Sequence, residues 1–314
     1  MGLLVINPGL FTTVQDLGRE GYREWGVPIG GAFDRASAAL ANALVGNAPG
    51  EGVLELTLIG GTYEAQLPLA VALAGAPMDA RVEGAEGRAR PWPVPQSGPL
   101  AARERLVLGR AAVGARTYLA VRGGWRTPLV LGSRSRETRL QPGDVVPAEP
   151  GTIPVRRPAE SVWRAPTGAP LRVLDGPDAA DGPDPGDWDA RTFRVGRQSD
   201  RMGLRLEGPA PRIASPPDRV SAPVAPGAVQ VAGGRAIVLG IACGTMGGYP
   251  HLAQVISADL DRLGQFRPDD ELRFQRVTLA EARRIDREAR RARVARLRRV
   301  VMLAADEMDL PNRD

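Results

Sequence analysis

Glycine and proline interrupt this chain too often and too evenly for long helices to make up its body. Thirty-eight Gly and 29 Pro are spread along 314 residues and do not gather into low-complexity tracts. Glycine supplies the positive-φ corners of tight turns and proline pre-sets φ for them, so this spacing predicts many short strands joined by turns. The apolar runs between these breaks have strand length. In the first half they are Leu3–Ile6, Val53–Leu58, Thr62–Gln66, Leu69–Ala74, Leu106–Leu108, Tyr118–Val121 and Leu129–Leu131. In the second they are Leu171–Leu174, Thr192–Val195, Leu204–Leu206, Ala228–Val231, Ala236–Ile241 and Leu252–Ser257. An apolar share of 43% is enough for a packed core and too high for a disordered chain. The longest apolar run, Leu67–Met78, is broken by Pro68, Gly75 and Pro77 and is too short to span a bilayer.

The length suits two halves. We place a first β-barrel-like half at 1–150, a proline-rich linker at 151–170, a second half at 171–277 and an Arg-rich helical tail at 278–314. The second half carries an Asp/Pro/Gly loop from Asp175 to Asp187 and one or two helical turns at Ala258–Gly264. Leu140–Val146 (LQPGDVV) and Phe266–Phe274 (FRPDDELRF) share a pattern at the end of each half, a faint internal repeat. The tail opens on a capping box, Thr278 and Glu281, in which each residue satisfies a free amide of the first turn.

The net charge of +5 is weak support for nucleic-acid binding. Every basic residue is Arg, and the excess sits in the tail, where a solvated helix face is the simpler account. One cysteine, Cys243, rules out an internal disulfide and a cysteine-cluster metal site, and one histidine, His251, argues against a His-based zinc site. No metal is therefore expected. There is no GxxxxGK[ST] loop and no GxSxG elbow. Met1 leads directly into a strand-like run without the parts of a signal peptide, so the protein is expected to be cytoplasmic and not membrane-bound.

One stretch, Val14–Asn47, concentrates chemistry. Gly18, Gly21, Gly26, Gly30 and Gly31 alternate with Gln15, Asp16, Arg19, Arg23 and Asp34, and an alanine-rich helix follows that reads as buried, with Asn42 in its middle. Asp34 is placed to cap it and Gly46 to end it. A second glycine loop, Gly244–Pro250, follows the polar segment that holds Asp200 and Arg201. Arginine forks bind oxyanions, glycine amides stabilise developing negative charge and carboxylates move protons. We name Gln15, Asp16, Arg19, Asp34, Asp200 and Arg201 as catalytic candidates, and Asn42, Arg134, Thr245, Gly247, Gly248 and Tyr249 as substrate-binding candidates. A turn or buried ion pair would account for any one of them equally well.

The ordered motifs Thr12–Arg19 (TTVQDLGR), Gly26–Asp34, Leu40–Asn47 (LANALVGN), Gly114–Gly124 (GARTYLAVRGG), Val130–Ser135 (VLGSRS), Ser199–Gly208 and Gly247–Leu260 resemble the allophanate hydrolase subunit 2 family. That group includes the C-type subunit of 5-oxoprolinase and part of the urea carboxylase carboxyltransferase domain. The resemblance implies a mainly β protein with a few helices, built as two cyclophilin-like β-barrel halves plus a C-terminal helix. It also implies a role within an amide-hydrolysing complex, acting on a small amide, lactam or carboxylate. Its partners would be a subunit 1-like protein, equivalent to the B-type component of 5-oxoprolinase, and a protein like the A-type component. ATP would bind on the partner or at the interface. The alternatives are the carboxyltransferase half of a biotin-dependent carboxylase, with biotin on another protein because this chain has no Lys, and a non-catalytic regulatory partner in a kinase-inhibiting complex. The chain departs from the family at Ser221–Val224, at Glu137–Leu140 and at Ala242–Met246, where the family commonly carries Asp-Arg-Gln-Thr-Thr.

Overall fold

The computed structural model describes residues 1–84, 87–158, 163, 165–181, 188, 191–208, 213 and 219–306. Parts of the expected linker (159–162 and 164), of the Asp/Pro/Gly loop (182–187) and of the tail (307–314) lie outside the described residues. The chain forms two compact units. The first comprises Met1–Gly18, Arg35–Arg164 and Arg291–Asp314; the second comprises Arg19–Asp34 and Ala165–Arg290.

In the first unit, β1 (Gly2–Asn7) and β2 (Phe11–Gln15) precede α1 (Arg35–Leu44). Then come β3 (Val53–Thr57), β4 (Thr62–Ala65), β5 (Leu69–Gly75), β6 (Met78–Glu83), β7 (Ala89–Pro91), β8 (Gln96–Leu100), β9 (Arg105–Ala111), β10 (Arg116–Val121) and β11 (Val145–Pro147). They form a six-stranded sheet in the order β11-β1-β4-β9-β6-β7 and a five-stranded sheet in the order β2-β3-β10-β5-β8. Successive strand residues face opposite sides. Leu3 and Val5 of β1, Leu54 and Leu56 of β3, Leu69, Val71 and Leu73 of β5, and Leu119 and Val121 of β10 therefore meet in one core. The other face of β5 carries only Ala70, Ala72 and Ala74, and α1 lies along β5 and β10. Ser37–Leu44 of α1 are all buried, as an alanine-rich helix with small neighbours requires, and Gly46 follows at φ 77 in the left-handed region.

In the second unit, β12 (Leu171–Asp175), β13 (Thr192–Val195), β14 (Gly203–Glu207), β15 (Ala222–Pro223), β16 (Ala228–Ala232), β17 (Arg235–Leu239), β18 (Met246–Gly247) and β19 (His251–Val255) precede α2 (Leu260–Leu263) and β20 (Glu271–Arg276). Seven of these strands close a barrel in the order β12-β19-β16-β17-β14-β13-β20, with β12 and β20 paired in parallel at the seam. β15 and β18 form a separate two-stranded ladder. Phe193, Phe274 and Trp188 pack ring to ring in the interior. Phe33, from the Arg19–Asp34 segment, belongs to the same core. A mainly β protein with barrel-like halves and a C-terminal helix is the fold the sequence predicts.

The C-terminal helix, α3 (Leu279–Asp306), starts as read: Thr278 N–H and Oγ1 both donate to Glu281 Oε2 (2.8 Å each), and Glu281 N–H returns a bond to Thr278 Oγ1 (3.2 Å). Arg284–Glu288 and Asp286–Arg290 pair along its exposed surface. Leu129–Leu131 forms no strand. Leu131 and Gly132 sit at φ 52 and 76, which no strand tolerates, and only the bridge Val130–Ser133 remains.

Candidate functional site

The candidates in the first unit hold loops together. Asp16 lies just past the end of β2, and its carboxylate accepts four bonds. Gly18 N–H (2.7 Å), Ser133 Oγ (2.7 Å) and Ser135 Oγ (2.6 Å) donate to Oδ1, and Arg134 N–H (2.6 Å) donates to Oδ2. Arg134 turns its guanidinium to Thr127 O. Gln15 is fully buried and donates to Thr13 Oγ1 (2.9 Å) and Arg136 O (2.8 Å). Asn42 is fully buried too; it donates to Glu51 O (2.8 Å) and accepts from Asn47 Nδ2 (3.0 Å), which ties the end of α1 to the following turn.

The other candidates belong to the second unit. Arg19 N–H donates to Ile29 O (2.8 Å), closing the glycine-rich segment into a loop. Asp34 is buried and accepts from Gln265 Nε2 (2.8 Å). Arg201 is buried and donates from Nη2 to Gly31 O (2.7 Å). The backbone leaves it little room: a Cβ on Gly240 would lie 2.2 Å from Arg201 O and 3.1 Å from the Phe33 ring. Gly240→Ala therefore forces the backbone apart, and we expect a loss of about 1–3 kcal/mol in chemical denaturation. An unchanged midpoint would show that this contact yields freely.

A cavity of about 300 Å³ opens on this unit. Asp200, Gly247, Gly248 and Tyr249 line it together with Gln230, Cys243 and Arg205, and Val224, Ile237 and Leu239 give it apolar walls. The sequence thus places four of its candidates in one cavity. Thr245 is not among the lining residues; its carbonyl accepts Val224 N–H (3.0 Å) and helps fix the β15–β18 ladder. Asp200 Oδ1 accepts the N–H groups of Met202 (2.8 Å) and Gly203 (3.2 Å), which fix the turn that lines the cavity. Burial pushes the Cys243 thiol above its ordinary value, with the positive charge of Arg23 partly opposing it, so the sulfur faces the cavity as neutral S–H. The sequence alone does not mark Gln230 or Cys243 as site residues. The available signal is a lone polar residue in the apolar strand Ala228–Ala232.

The volume is at the small end of ligand pockets, and Arg205 is the single cation among the lining residues. With no Lys and no P-loop, the usual phosphate-loop chemistry is unavailable to these residues. Among the described residues no cluster of His, Cys, Asp and Glu could hold a metal ion, and no helix is long and apolar enough to cross a membrane.

Beside the cavity's glycine loop, His251 N–H donates to Asp178 Oδ2 (2.7 Å), and Arg219 clamps the same carboxylate with two nitrogens. Burial holds the His251 imidazole below the ordinary value of 6.5. The folded chain therefore keeps it neutral while the unfolded chain protonates it. Its contribution to stability is complete above about pH 6.5 and is lost as the pH falls towards the depressed folded value. His251→Gln should flatten the stability profile between about pH 7 and 5.5; an unchanged slope would refute the assignment.

A closed seven-stranded barrel, in a chain that carries a second β unit, has counterparts among known proteins. The chain belongs to the family of the carboxyltransferase domain, subdomains A and B, which matches residues 25–276. It is 33% identical to the C-type subunit of 5-oxoprolinase from Escherichia coli K12 over 297 residues, which is 89% of this chain and 93% of that protein. Among solved structures, TTHA0988 superposes with a TM-score of 0.76 at 35% identity, covering 87% of this chain and 56% of that one. The Kluyveromyces lactis urea amidolyase gives a TM-score of 0.80 at 25% identity, over 94% of this chain. The chain spans about half of TTHA0988 and 20% of the urea amidolyase.

Proposed function

We propose that this chain is the C-type subunit of a 5-oxoprolinase-like complex that hydrolyses a small amide or lactam at the expense of ATP. The observation that carries this reading is the similarity to the E. coli C-type subunit along 93% of that protein's length. The cavity of the second unit is the place proposed for the substrate. Its volume suits a ligand of a few heavy atoms, and Arg205 and Asp200 in its lining complement a substrate that carries both a carboxylate and an N–H group. ATP is assigned to a B-type or A-type partner or to its interface with this chain, because a cavity of about 300 Å³ is small for a nucleoside triphosphate.

The test is reconstitution. The chain alone should release no glutamate from 5-oxoproline, whereas the chain with B-type and A-type partners should do so in an ATP-dependent manner. Inactivity of the full assembly with intact ATP binding would overturn the reading. A second reading is the carboxyltransferase half of a biotin-dependent carboxylase. It is favoured by the family match and by the fit to the urea amidolyase. Biotin would arrive on another protein, since this chain has no Lys to carry it. A titration with a biotinylated carrier domain separates the two, because only the second reading requires binding.

A further inference from the structure

Gln230 is 4% exposed, yet it lines the cavity. Its Nε2 donates to the carbonyl of Tyr249 (3.2 Å). A carbonyl only accepts, so the carboxamide can take one orientation: the amino group points to Tyr249 and the oxygen points away. No described group donates to that oxygen. The carboxamide reaches this position because residue 247 is glycine; a Cβ there would lie 2.7 Å from Nε2 and 2.9 Å from Val224 Cγ1. The loop therefore holds the carboxamide in the wall of the cavity beside Val224, Ile237 and Leu239, with Nε2 committed to Tyr249 and the oxygen open to solvent.

An oxygen open to water keeps a donor until a ligand fills the cavity; from then on it is unfavourable unless that ligand supplies a donor itself. A ligand N–H does so; an ester oxygen or an N-methyl group in its place leaves the acceptor unmet and sets it against a lone pair or a methyl group. We propose that Gln230 is the specificity-determining residue of this cavity, selecting ligands with a free amide or lactam N–H over their oxygen or N-methyl counterparts. The inference rests on the reading that the cavity is the substrate site. It adds which atom of the substrate is recognised and by which residue. Sites built around such a bond reject analogues that lack the hydrogen far more strongly than apolar pockets reject a change of size.

Three probes of nearly the same shape test it: 2-pyrrolidinone, γ-butyrolactone and N-methyl-2-pyrrolidinone. Each is titrated into the full chain, with the backbone amide resonances of Gly244, Gly247 and Gly248 as reporters. The expected result is a Kd for 2-pyrrolidinone at least about tenfold below that of the other two, and a loss of this preference in Gln230→Met. If all three probes shift the glycine resonances with equal affinity, or if Gln230→Met keeps the preference, the role of Gln230 is overturned while the cavity stands as a ligand site. If no probe shifts those resonances, the substrate-site reading falls, and the inference falls with it. The wild-type comparison needs no variant, so a misfolded Gln230→Met leaves the result decisive.

Discussion

Glu55→Ala should cost the first unit about 3–5 kcal/mol, the penalty for stranding a buried charge. Glu55 and Arg116 face each other from β3 and β10 at 3.3 Å, with side chains 1% and 6% exposed. Tyr118, opposite Glu55 in the strand register, donates its hydroxyl to Glu55 Oε2 at 2.8 Å. Removing the carboxylate leaves a guanidinium and a phenol inside a sheet that water does not reach. The pair on β6, Arg81–Glu83, is 46% and 36% exposed and should contribute about 0–1 kcal/mol. The check is urea denaturation of both variants, Glu55→Ala and Glu83→Ala. Equal midpoints would mean that the buried pair has no special standing.

Asp16→Ala should lose about 3–5 kcal/mol through a different mechanism. Four donors converge on this carboxylate, and Ser133 and Ser135 are buried, so their hydroxyls have no water to turn to. Asp16→Asn keeps an acceptor for the hydroxyls but sets an N–H₂ group against Arg134 N–H, so it should fall between wild type and Asp16→Ala. Hydrogen exchange of the 133–135 amides should accelerate in the same order. If Asp16→Ala instead abolished activity in the reconstituted complex with its denaturation midpoint and exchange unchanged, the carboxylate would be acting in chemistry.

The two aspartates show what a sequence makes legible. Asp16 and Asp200 each precede or sit within a glycine-bearing loop and look alike as residue types. The partners of Asp16 lie 117 to 119 residues away, in a segment whose register no local pattern announces. The partners of Asp200 are two and three residues away, and its loop lines the cavity. Local signals read well: the buried run Ser37–Leu44 of α1 with Asn42 inside it, and the Thr278–Glu281 box. Gln230 does not stand out in the sequence, because its importance depends on a glycine 17 positions later (247 minus 230) that allows close approach. The grouping of 19–34 with the second unit is equally out of reach, since it rests on contacts across most of the chain.

That grouping has a consequence for how the protein is made. The Arg19–Asp34 segment emerges from the ribosome early, but its hydrogen-bonding partners come late: Arg201 is 170 residues from Gly31, and Gln265 is 231 from Asp34. At about 5–20 residues per second, the second interval amounts to roughly 10–50 s of translation. For that time Phe33 and its neighbours have no barrel core to enter. The second barrel therefore completes its core only near the end of synthesis, and a gene fragment that begins at Ala165 encodes a barrel without Phe33.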